Sequence, residues 1–441
     1  MSGLLNPGTQ LTTNSGCPVL VENLLGAGGQ GEVYRVSVSG TPMALKWYFE
    51  HTATNQQRNG LETLAKKGAP GPSFVWPEEM VGDPAGRSFG YIMRLRGKGF
   101  RSVVDLVTRR MEPSSRALAR AGFELANNFH LLHSKGLCYQ DINFDNVFLD
   151  PDTGQVEIID NDNVKVNDPN VPSNILGTMR FMAPEIVTQQ GTPGTDSDLF
   201  SLSVLLFYMF CVSHPLEGKK EQSLRCLDGP AMTKLYGEEP VFIFDPDDSS
   251  NRPVEGVHDN AQAFWDIYPQ FLRELFIDAF TKGIKDPIHG RVRESVWKHE
   301  MLRLWESILY CPACGSENFY DAARIVSAGH GGGRCWSCES VVPVPYRIRI
   351  DKSVVMLNHD GRLLPHHINP GLQADLGADP VAEVQRHKTD PHIWGLRNCT
   401  QQKWVATLLD GSTRDVPPGK CVTLANGTKV NFGAVTGEIR G

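Results

Sequence analysis

Polar knots set between apolar, strand-like residues constrain this chain more than any other feature. In Tyr139-Gln140-Asp141-Ile142-Asn143-Phe144-Asp145-Asn146-Val147-Phe148-Leu149, acids and carboxamides interrupt aromatic and branched neighbours. A second knot, Ile158-Ile159-Asp160-Asn161-Asp162, follows the same pattern. A lone aspartate in a loop usually forms a turn. Together, Asp141, Asn146 and Asp160 supply a base-like carboxylate and two oxygen ligands suited to Mg²⁺.

Two upstream features fit the same chemistry. Gly26-Ala27-Gly28-Gly29-Gln30-Gly31-Glu32-Val33 is a glycine-rich stretch whose backbone can approach phosphates. Its spacing is shared with nucleotide-binding turns that open a helix. Here a strand-like run, Glu32 to Ser39, comes next, which favours a hairpin lying over a nucleotide. Lys46 sits in the apolar run Ala44-Leu45-Lys46-Trp47-Tyr48-Phe49, where a lysine is costly to bury without an anion. Further on comes Gly177-Thr178-Met179-Arg180-Phe181-Met182-Ala183-Pro184-Glu185.

The organisation is α+β. Short strand-like runs with one helix, near 54–67, occupy residues 18–95. Helical periodicity dominates 100–305. The formal net charge of −7 argues against a general nucleic-acid binder. The longest nearly apolar run, Leu202 to Val212, falls far short of the ~20 residues that cross a bilayer. The opening MSGLLNPGTQ lacks a basic flank and a long apolar core. A soluble, cytoplasmic protein without membrane contact is the expectation.

The order of these motifs resembles the protein-kinase signature set over roughly residues 18–305. Asn146 follows Asp141 by five positions, as that set requires. The resemblance implies a bilobal domain (N-lobe about 18–95, C-lobe about 96–305) that binds ATP and Mg²⁺ and phosphorylates Ser/Thr of protein substrates. By it, Gly26, Gly28, Gly31 and Val33 cover the phosphates and adenine, with Ala44 and Met93 beside the adenine. Lys46 holds the α- and β-phosphates, and Glu62 pairs with Lys46. Asp141 orients and deprotonates the acceptor hydroxyl, while Asn146 and Asp160 hold Mg²⁺. Glu185 pairs with a late arginine, Arg291, and Asp198 anchors the catalytic loop.

Four positions depart from the family. Gln140 stands where an arginine usually reads a loop phosphate, and a neutral amide makes no charge-assisted pair. Activity is therefore expected to persist after phosphatase treatment; loss of most of the rate would contradict this. Asn161 and Asp162 replace the aromatic and glycine after the metal-binding aspartate, and Asp162 reads as a turn former. Asn143 replaces a lysine that contacts the transferring phosphate, a loss worth on the order of 10²-fold. That keeps a second reading open, a nucleotide-binding pseudokinase scaffold.

Cys311-Pro-Ala-Cys314 and Cys335-Trp-Ser-Cys338 are two CxxC pairs separated by twenty residues. The spacing points to a structural Zn²⁺ held by four thiolates in residues 306–342, a zinc ribbon by resemblance. His330, between the pairs, is not expected to ligate. Residues 343–441 read as a small all-β sandwich. Its cadence and the closing Thr428-Lys-Val-Asn-Phe-Gly433 faintly resemble forkhead-associated domains, without their Ser-Arg-x-x-His motif. His366 and His367, as strand neighbours, are expected on opposite faces. The whole resembles atypical bacterial kinases of tellurite-resistance-associated systems, which implies a von Willebrand A-type protein and a PP2C-type phosphatase as partners.

Overall fold

Alternation of apolar and polar residues over the first ninety positions builds a six-stranded antiparallel sheet in this computed structural model, which describes residues 3–83, 86–168, 177–322 and 333–441. Its strands are β1 (Gln10–Thr12), β2 (Pro18–Ala27), β3 (Gly31–Val38), β4 (Thr41–Tyr48), β5 (Glu79–Gly82) and β6 (Phe89–Met93). Their spatial order is β1-β2-β3-β4-β6-β5. Side chains alternate between faces along a strand. One face carries Val36, Leu45, Trp47, Val81 and Ile92 into a core with Val19 and Val21. The other carries Lys46 and Tyr48, with Tyr91 directly across from Lys46.

Helix α1 (Asn55–Lys67) falls where the sequence expects it. Thr54 caps it by accepting the Gln57 N–H at 3.1 Å. It ends at Gly68 in the left-handed region. Its Leu61 joins Tyr48, Met80, Phe89 and Tyr91 in a second cluster on the Lys46 face.

A smaller sheet holds β7 (Arg101–Ser102), β9 (Val147–Leu149) and β10 (Val156–Ile158); β8 (Leu137–Cys138) pairs with β11 (Lys165–Val166). The helix Thr195–Cys211 is buried at every residue from Ser197 to Cys211. A helix apolar all round belongs in a core. Phe207 packs edge-on against Phe242, Phe276 and Phe280.

Contacts divide the chain into two compact units. The first joins Met1–Pro113, Ala121–Gln262 and Leu275–Lys298; the second joins Ser114–Arg120, Ala263–Glu274 and His299–Gly441. Within the second, β12 (Ile308–Tyr310) and β13 (Glu317–Phe319) form a hairpin beside the four cysteines. Two sheets follow. One contains β14 (Arg347–Ile350), β15 (Ser353–Met356), β19 (Trp404–Thr407), β20 (Thr413–Val416), β22 (Lys429–Asn431) and β23 (Thr436–Arg440). The other contains β16 (Arg362–Leu363), β17 (Ala382–Arg386), β18 (Trp394–Asn398) and β21 (Cys421–Thr423). Ile348, Trp404, Val430 and Ile439 of the first meet Leu363, Val384 and Leu396 of the second in one core.

His366 and His367 correct an expectation. They lie on a short helix, Pro365–Ile368, not a strand, and their rings stand 4.0 Å apart. Pro365 at the first helical position favours that turn. His367 Nδ1 accepts the Leu364 N–H at 2.8 Å, so its Nε2 carries the hydrogen toward Glu306, 2.9 Å away. A metal on that nitrogen would need the opposite tautomer.

Candidate active site

The glycine-rich stretch is the hairpin turn between β2 and β3. Ala27 pairs with Glu32, and the Gly28 N–H donates to the Gly31 carbonyl at 2.9 Å. Gly31 is fixed by packing, since a Cβ there would lie 2.1 Å from the Trp47 carbonyl. Gly26 and Gly28 have open space where a Cβ would point. Across the sheet, Val33 pairs with Lys46, and Ala44 with Met93.

Lys46 is buried, and its Nζ lies 2.7 Å from Asp162 Oδ2 and 3.5 Å from Asp160 Oδ1. Burial opposes the charge, and the Asp162 and Asp160 carboxylates outweigh it, holding the ammonium above its ordinary pKa. The Tyr48 hydroxyl also donates to Asp162. Burial, then Asp162, drives that phenol far above its usual range. The pairing expected for Glu62 is not formed. Glu62 sits half-buried on α1, and among the described residues the acids that pair with Lys46 are Asp160 and Asp162. The turn Asn161–Asn163 brings Asp162 beneath the sheet instead.

Asp141 is held from several directions. Its Oδ1 accepts from Asn143 Nδ2 at 2.9 Å, and from the Thr178 N–H and hydroxyl at 3.0 Å each. Asn143 therefore joins Asp141 to Thr178, to whose hydroxyl it also donates at 3.1 Å. Asn146 Nδ2 donates to the Asp141 carbonyl at 3.0 Å. Gly177 is required here: its φ is +88° and a Cβ would lie 2.7 Å from the Gln140 carbonyl.

The hairpin β9–β10 sets Asn146 and Asp160 at the same end. Val147 pairs with Ile158, and the Ile159 N–H continues the ladder to the Asn146 carbonyl at 3.0 Å. The Tyr139 hydroxyl donates to the Ile159 carbonyl, tying the two polar knots together. Asp198 accepts the backbone N–H groups of Tyr139 at 2.6 Å and Gln140 at 2.9 Å. Glu185 and Arg291 meet at 2.7 Å. Gln140 turns its amide toward the Pro193 carbonyl at 3.4 Å.

Sequence reasoning missed Tyr48, Gln57 and the true place of Asp162. Tyr48 stands two residues after Lys46 on a strand, and that period was the available signal. Gln57 Nε2 donates to the Tyr48 hydroxyl at 3.2 Å and to the Asp162 carbonyl at 3.3 Å.

The four cysteines gather in two matching loops. The Gly315 N–H donates to the Cys311 carbonyl at 2.9 Å, and the Glu339 N–H does the same to Cys335. Both donors have positive φ, 78° and 59°. Sγ atoms lie 3.6 Å apart for Cys311 and Cys338 and 3.7 Å for Cys314 and Cys335. All four fall within 4.8 Å of one another. A tetrahedral zinc ion with bonds of about 2.3 Å sets its sulfurs about 3.8 Å apart, so the cluster fits one. His330 lies outside the described residues.

A fold of this kind with this loop chemistry defines a phosphotransferase domain, and comparison with known families agrees. The protein kinase domain family matches residues 20–264, and the chain belongs to that family. The chain is 32% identical over 212 residues to the DNA damage-responsive serine/threonine-protein kinase RqkA of Deinococcus radiodurans, covering 46% of this chain and 31% of that protein. It is 36% identical over 126 residues to human protein kinase C delta type, covering 27% of this chain and 18% of that one. Ribosomal protein S6 kinase 2 alpha of Xenopus laevis is 33% identical over 106 residues, 24% of this chain and 14% of the relative. The chain thus spans under a third of the length of these relatives. No helix among the described residues is long and apolar enough to cross a membrane.

Proposed function

We propose that the chain is an active protein kinase that transfers the γ-phosphoryl group of ATP to Ser or Thr hydroxyls of protein substrates. What supports it is the joint arrangement of two groups: Lys46 against Asp160, and Asp141 held by Asn143, Asn146 and Thr178. Lys46 would contact the nucleotide phosphates, with Gly26, Gly28, Gly31 and Val33 above them and Ala44 and Met93 beside the adenine. Asn146 and Asp160 offer oxygens to Mg²⁺, which when bound neutralises phosphate charge. Asp141 accepts the proton of the attacking hydroxyl. Positioning and charge neutralisation carry most of such a reaction, because its transition state is loose. The Ser/Thr assignment draws on the similarity to RqkA, a serine/threonine-protein kinase.

The four cysteines would hold a structural Zn²⁺, leaving no open coordination position. The β sandwich would then serve docking, with a von Willebrand A-type protein and a PP2C-type phosphatase as partners by resemblance, in the cytoplasm.

Intact mass of the phosphatase-treated chain, before and after incubation with ATP and Mg²⁺, tests the reading beside Asp141→Asn. Steps of one phosphate in the unmodified chain alone support it. A chain that binds nucleotide and phosphorylates neither itself nor the two proposed partner proteins would be a scaffold. The observation on that side is Asn143, a neutral amide occupied by Asp141 and Thr178 where a lysine would add charge.

A further inference from the structure

We propose that Asp162, and not an acid of α1, is the positioning residue that aligns Lys46 for the nucleotide; the proposal rests on the kinase reading above. Three roles compete for Asp162. As a turn former it would bond its own loop, yet its carboxylate reaches Lys46 and Tyr48 on β4. As a metal ligand it would open toward the cleft, yet its side chain is 0% exposed while that of Asp160 is 45% exposed. The remaining role is the counter-charge of Lys46, and the 2.7 Å separation suits it.

The surroundings are built for that role. Tyr48 lies on the same sheet face as Lys46 and donates to the same Asp162 oxygen that Lys46 pairs with. Helix α1 contributes a neutral amide, Gln57, which supports the Tyr48 hydroxyl and the Asp162 carbonyl. A carboxylate two residues from Asp160 thus ties the lysine to the metal-binding loop itself. Alignment of Lys46 then does not require α1 to deliver a charge.

The test compares Asp162→Asn, Glu62→Gln, Tyr48→Phe and Lys46→Met in the full chain. Steady-state kinetics give kcat and KM for ATP, and a fluorescent ATP analogue gives Kd. Asp162→Asn should raise KM for ATP and the analogue's Kd about tenfold with a smaller fall in kcat, while Glu62→Gln shifts each less than about twofold. Adding Asp162→Asn to Lys46→Met should cost little more, because the two act as a pair. Glu62→Gln weakening ATP as much as Asp162→Asn would overturn the proposal, as would an Asp162→Asn chain with unchanged Kd. Should Asp162→Asn fail to fold, Tyr48→Phe decides: a raised KM for ATP supports the arrangement and an unchanged one refutes it. Absence of transfer by the unmodified chain counts against the kinase reading, and the analogue affinities still choose between Asp162 and Glu62.

Discussion

The imidazole of His133 stands 3.1 Å from the carboxylate of Asp198, the same group that holds the backbone of Tyr139 and Gln140. On its other side His133 bonds Glu294. Burial disfavours the imidazolium, and hydrogen bonds to Asp198 and Glu294 prevail, raising its pKa to about 9. A raised folded-state pKa stabilises fully below the unfolded value of about 6.5 and fades as pH rises through about 9. Folding stability should therefore fall by roughly 3 kcal/mol between pH 6.5 and 9.5, and the melting temperature should fall with it. His133→Asn should flatten that slope, which thermal melts across the range will show.

Arg291 is nearly enclosed, with its side chain 1% exposed, and Glu185 answers its charge. Removing one partner of a buried pair leaves the other charge uncompensated, at a cost of about 3–5 kcal/mol. Glu185→Ala should show that loss in urea denaturation. Arg291→Met, which removes the buried charge and keeps contact with Phe200 beneath it, should cost clearly less.

Gly28 and Gly31 belong to one motif and should fail differently. Gly31→Ala drives a methyl into the Trp47 carbonyl and should lower stability by about 1–3 kcal/mol. Gly28→Ala meets nothing within 4 Å, so its melting point should hold while KM for ATP rises. Paired melts and kinetics distinguish the two.

The cysteine cluster should carry one zinc ion per chain by elemental analysis. Cys314→Ser and Cys338→Ser should each release it. Metal binding can supply about 10–16 kcal/mol of folding free energy to a small module. Chelation should therefore expose Cys311 and Cys335, which are buried, to thiol reagents.

Much of the geometry of the candidate site was legible because spacing carries it. The step of five positions from Asp141 to Asn146 spans one turn into β9, and the ladder then places Asp160 beside Asn146. The strands followed from alternation, and Arg291 was foreseeable as the partner of Glu185. The counter-ion of Lys46 was not. Choosing Glu62 over Asp162 turns on how a three-residue turn rotates its side chains, and neither periodicity nor composition reports that. The histidine pair failed for a related reason. Two adjacent residues point to opposite faces of a strand but stand only about 100° apart around a helix, and only Pro365 hinted at the helix. The second sheet pair was visible as strand cadence, while its pairing order depends on contacts far apart in sequence, such as β14 with β23.

The enclosure of Lys46 also bears on chemical labelling. Acylating probes attack a lysine only as the free amine. With Asp162 and Asp160 keeping its ammonium protonated, Lys46 in the nucleotide-free chain should react slowly with such reagents. Proteome-wide surveys that find kinases through this lysine would under-count proteins built this way, and a silent lysine in such a survey would report a well-formed site.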